Sequence, residues 1–92
     1  MINLSPWYTA LRIADELAQR CGLGYFTQAE EQGPAFRLDP AKLDRVVELA
    51  GRDAARQAPW LAPSAEDLAV CRRLLRRTLI RRLAVGMVEA GF

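Results

Sequence analysis

The 92-residue chain has no histidine, two cysteines and a single lysine, and each scarcity removes a class of chemistry. Without histidine there is no imidazole to act as a general base or as a metal ligand. Cys21 and Cys71 stand fifty residues apart with no partner for a zinc site, and both fall on predicted helix faces, so buried free thiols are expected. No uncharged run reaches the roughly 18 residues that a membrane span needs, and Asp15 and Glu16 stand where a signal peptide would carry its apolar segment. The expected compartment is the cytoplasm, and no membrane partner is expected.

Equally absent are a glycine-rich phosphate loop, an internal repeat and a low-complexity tract. The paired acids Asp15/Glu16, Glu30/Glu31 and Glu66/Asp67 have no nucleophile or imidazole beside them, and neighbours on a helix point about 100° apart. Solubility and helix capping account for them. The expectation is therefore a protein that is not an enzyme and takes no cofactor or metal. Only Glu30 and Glu31, in a polar loop beside Phe26, form a pair placed for a secondary partner contact.

What the chain does have is an ordinary globular balance, 51% hydrophobic and 26% charged. A chain of this length buries only roughly 60 to 65% of the surface its unfolded form exposes. The fold class read from periodicity is mainly α: one small helical domain over 1–92, with three helices and a short β-hairpin or loop between the first two.

The first helix, about 5–21, begins at "SPW", with Ser5 as cap and Pro6 at the first position. Leu4, Trp7, Ala10, Leu11, Ala14, Leu17, Ala18 and Cys21 share one arc, and Gly22 or Gly24 ends it. Residues 24–38 hold two β-prone runs, Tyr25 to Thr27 and Ala35 to Leu38. They form a hairpin, or an irregular connection whose aromatics plug the core. The second helix, about 40–57, is capped by Asp39 with Pro40 next, and carries the stripe Leu43, Val46, Val47, Ala50, Ala54 and Ala58. Gly51 could end the helix early, but the stripe continues through Ala54, so one helix is expected at a cost of about 1 kcal/mol for the glycine. In the joint 58–63, Trp60 and Leu61 are expected to dock into the core. The third helix, about 65–89, is capped by Ser64 and has Glu66 and Asp67 in its first turn.

"DELAQRCGLG" has the alanine-to-glycine spacing, Ala18 and Gly22, of a helix-turn-helix entry. The following "YFTQAEEQGP" excludes a recognition helix, because it places two glutamates where base contacts belong and is broken by Gly33 and Pro34.

The informative stretch is "CRRLLRRTLIRRL", Cys71 to Leu83. With Arg72 at 0°, Arg76 falls at about 40°, Arg73 at about 100°, Arg77 at about 140° and Arg81 at about 180°. Leu68, Leu75, Leu79 and Leu83 form a separate seam. Arg82 lies inside the apolar arc and needs a carboxylate, with Asp15, Glu48 and Glu89 as the candidates. Ile80 stands among the arginines, with Met87 close by on the wheel.

Residues 1–71 hold seven basic and ten acidic side chains, and residues 72–92 six basic and one acidic. Twelve of the thirteen cations are arginine, which suits bidentate contacts and follows equally from a G+C-rich genome. The ridge reads as a solvated face, as a contact for an acidic protein, or as a phosphate contact for nucleic acid. The partner-binding set is Arg72, Arg73, Arg76, Arg77, Ile80, Arg81 and Met87. The expectation is a small adaptor, inhibitor or assembly factor that docks this helix on an acidic protein surface. Nucleic-acid binding through the same arginines is the alternative. A homodimer joining the acidic and basic portions is a third reading.

Overall fold

The computed structural model describes residues 2–29 and 36–89. In chain order these form α1 (Ser5–Cys21), a single 3₁₀ turn (Leu23–Phe26), β1 (Thr27–Ala29), β2 (Phe36–Leu38), α2 (Pro40–Gln57), a second 3₁₀ turn (Pro59–Leu61) and α3 (Ala65–Glu89). The strands pair antiparallel, with Thr27 opposite Leu38 and Ala29 opposite Phe36. Three helices with a short hairpin between the first two is the architecture that the sequence periodicity indicates.

Cross-helix contacts fix the directions. Asn3 reaches Asp67 and Asp15 reaches Arg82, so α1 and α3 run parallel. Asp44 meets Arg72, while Gly51 meets Leu68, so α2 runs antiparallel to α3. The core between them consists of Ala10 and Ala14 from α1, Phe26, then Leu43, Val46, Val47 and Ala50 from α2, and Cys71, Leu75 and Leu79 from α3. Alanines on α1 let its backbone come close, and Phe26 supplies the bulk that they lack. Trp7 and Leu17 pack at the edge.

Several expectations need correction. Ser5 does not cap α1. It is the first helical residue, Leu4 is the cap position, and the Ser5 N–H donates to Asn3 Oδ1 at 3.0 Å. Asn3 displaces it because Asn3 is itself tied down: its N–H donates to Asp67 and its side-chain amide to the Leu61 carbonyl. Leu4, placed on the buried arc by the wheel, is 40% exposed.

The first strand starts at Thr27, two residues later than the β-prone run suggests. Gly22, at φ 79°, turns the chain as only glycine does without strain, and Leu23–Phe26 then coil tightly enough to drop Phe26 into the core. The hairpin and the plugging aromatic thus both occur, one after the other. Tyr25 meets Phe26 edge to face and lies under Lys42 Nζ, 3.9 Å from the ring centroid, which ties this turn to the start of α2.

Trp60 and Leu61 do not dock; they are 80% and 56% exposed. Earlier in α2, the helix approaches α3 so closely at Gly51 that an added Cβ would sit 3.0 Å from Leu68 Cδ2. Gly51 is therefore where the helices touch, which accounts for a glycine in mid-helix. Cys21 is exposed, since it is the last residue of α1 and lies past the buried stripe; Cys71 is buried as expected. Burial pushes the Cys71 thiol up to about 11, so at neutral pH it is protonated and packs as a small apolar group.

The caps of the other two helices match their sequence signals. Asp39 Oδ1 accepts from Ala41 N at 3.0 Å. Ser64 Oγ accepts from Asp67 N at 3.1 Å, while Asp67 Oδ2 accepts from Ser64 N at 2.9 Å, a reciprocal capping box. The donors of Ser64 and Asn3 hold the Asp67 carboxyl below its usual range.

Candidate interaction surface

The third helix places its leucine seam inward and its arginines outward, as one amphipathic turn follows the next. Leu75 and Leu79 are fully buried, and Leu68 and Leu83 flank them half-buried. Opposite, Arg73, Arg76, Arg77 and Arg81 are exposed and surround, together with Ile80, a shallow depression of about 410 Å³. Ile80 is 41% exposed.

The charges divide into two groups. Arg12 and Arg56 share Asp53, Arg45 and Arg52 share Glu48, Arg72 Nε contacts Asp44 Oδ1 at 2.6 Å, and Arg82 pairs with Asp15. Among the described residues, Arg73, Arg76, Arg77 and Arg81 have no carboxylate partner, and neither has Arg20 in the last turn of α1. The requirement for an Arg82 partner is met by Asp15, one of the three carboxylates that the wheel nominates. Arg72, counted with the ridge in the sequence, is drawn toward α2 by Asp44 and belongs to its inner margin. Asp44 adjoins the buried Leu43 on α2, and that adjacency to the stripe is the signal by which the pair could have been found.

Alongside the ridge lies a larger groove of about 560 Å³ that sequence reasoning did not anticipate. Its apolar lining comes from Leu38 on β2, Leu43 on α2, and Ile80 and Leu83 on α3; Arg37, Arg72 and Arg76 supply the cations. It exists because α2 begins late. With Asp44 level with Arg72 and the helices antiparallel, Pro40 lies level with about Arg76. Beyond that level α2 has ended, and among the described residues the flank of α3 on this side is formed by β2. Among the described residues, Ile80 and Leu83 are thereby left with an open flank. A third depression, of about 360 Å³, lies on the α1 side between Leu23 and Val85, with Arg81 and Arg82. Val85 is 57% exposed.

Of the remaining site residues, Met87 lies in α3, but its side chain is outside the described atoms; Glu30 and Glu31 are outside the described residues altogether. No helix of the structure is long and apolar enough to cross a membrane among the described residues. Compared with protein-family models, with curated proteins and with solved structures, the chain finds no match in any of the three.

Proposed function

We propose that the chain is a small non-enzymatic interaction protein, an adaptor, inhibitor or assembly factor, which docks the outer face of α3 on an acidic protein surface. The observation that carries this reading is the clustering, on one face of α3, of four arginines that lack a carboxylate partner among the described residues. Six arginines elsewhere are paired within the chain, while four on one face of α3 are not, and an exposed isoleucine sits among them. A face that served solubility alone would gain nothing from Ile80, whereas arginine around an apolar centre is the composition that protein interfaces favour.

The test is charge reversal at Arg73 and Arg77 followed by pull-down from the native host and mass spectrometry. Partners retained by the unmodified chain should be lost. If every co-purifying partner stays in place, the reading fails.

Nucleic-acid binding is favoured by the same four guanidiniums, since unpaired cations on one helix face also suit a phosphate backbone. It requires retention on heparin or duplex DNA that falls steeply with salt, at a slope near −0.9 per phosphate neutralised.

A further inference from the structure

We infer that the groove between β2 and α3 is the seat of an acidic amphipathic helix contributed by the partner. This rests on the proposed function and specifies what the partner presents.

The two depressions on this side of α3 adjoin, with Arg76 and Ile80 lining both, so that Arg73 and Arg77 stand beside the groove rather than in it. Together they follow α3 from Arg72 to Ala84, a rise of about 18 Å at 1.5 Å per residue, which is the length of a helix of about 12 residues. A small ligand would fill only part of that length. A phosphate backbone would use the arginines and leave Leu38, Ile80 and Leu83 facing nothing. An occupant with leucine-like side chains every three or four residues covers the apolar lining, and its flanking Asp and Glu meet Arg76, Arg73 and Arg77. Charge complementarity selects the acidic version, because a basic amphipathic helix would be repelled by the same arginines.

The probe is a fluorescein-labelled synthetic peptide of about 16 residues, with leucines at helical three-and-four spacing and glutamates between them. Beside it runs a scrambled peptide of the same composition without an apolar stripe. Fluorescence anisotropy against the full chain should show the patterned peptide binding at least about tenfold more tightly than the scrambled one. Ile80→Glu should reduce that binding by at least about tenfold, since it removes an exposed lining residue, and circular dichroism should show its fold unchanged. Reversal of Arg73 and Arg77, outside the groove, should weaken the peptide less and in a salt-dependent way.

Equal binding of the two peptides, abolished by the Arg73 and Arg77 reversal, overturns the groove and leaves the arginine docking face standing. Failure of both peptides, together with partners that survive the charge reversal, overturns both proposals. Concentration-dependent dimerisation that Ile80→Glu abolishes identifies a second copy as the occupant and overturns the inference. So does tight retention of duplex DNA that responds to Ile80→Glu as the peptide was meant to.

Discussion

The contact between Gly51 and Leu68 makes a quantitative prediction about helix packing. In an exposed helix interior, glycine to alanine stabilises by about 1 kcal/mol, because alanine loses less backbone entropy. At position 51 the new methyl would lie 3.0 Å from Leu68 Cδ2 and 3.6 Å from Cδ1, against a comfortable carbon separation of about 3.5 to 4.0 Å. Leu68 is only half-buried, so its end can move, at a rotamer cost of about 0.5 to 1.5 kcal/mol. Gain and loss nearly cancel, and Gly51→Ala alone should shift urea unfolding by less than about 0.5 kcal/mol. In a Leu68→Ala background the obstacle is gone, and the same substitution should recover its full value of about 1 kcal/mol, or about 4 to 8 °C in Tm for a domain of this size. The coupling between the two sites is the quantity to measure. An equal gain of about 1 kcal/mol in both backgrounds would refute the close approach of α2 and α3 at this point.

Other expectations are simpler to check. Ser64→Ala should cost about 1 kcal/mol in chemical denaturation by removing the acceptor for Asp67 N. The lowered Asp67 carboxyl contributes stability that is present above its unfolded value of 3.8 and lost as pH falls through the folded one, so Asp67→Asn should flatten the acid side of a stability profile. Cys71 acts with opposite sign. Its thiol is raised from 9.0 to about 11, so stability holds below pH 9 and falls by about 2 kcal/mol between there and pH 11, a loss that Cys71→Ala should lack. A thiol reagent should modify Cys21 in the native protein at once and Cys71 only on unfolding. Iodide or acrylamide should quench Trp60 far more than Trp7, and Trp60→Ala should leave stability within about 0.5 kcal/mol.

The helices were legible in the sequence because their signals are local. Asp39 with Pro40 and Ser64 with Asp67 mark two starts, Gly22 marks one end, and the stripe Leu43, Val46, Val47 and Ala50 lies on one face at any rotation of the helix in space. Helical periodicity also separated Arg73, Arg76, Arg77 and Arg81 from the leucine seam and demanded a partner for Arg82. What it could not show depends on contacts between distant residues. Asn3 reaches residues 61 and 67, so the true start of α1 is decided some sixty residues away. Trp60 between two prolines carries no periodic information about its direction. The groove is a matter of where α2 begins relative to α3, and register between helices is invisible along one chain. For that reason the ridge could be read in advance while the depression beside it could not.

The lone lysine has a consequence for how this surface can be controlled or labelled. Lys42 sits over the Tyr25 ring, at the opening turn of α2, and every cation on the exposed face of α3 is a guanidinium. Acetylation of lysine, an ordinary means of erasing positive charge from an interface, finds no side-chain target on this face. The charge of the α3 face is in that sense out of reach of lysine modification. An amine-directed dye on this chain can couple only to Lys42 and the terminal amine, so it reports binding at α3 without altering a residue there.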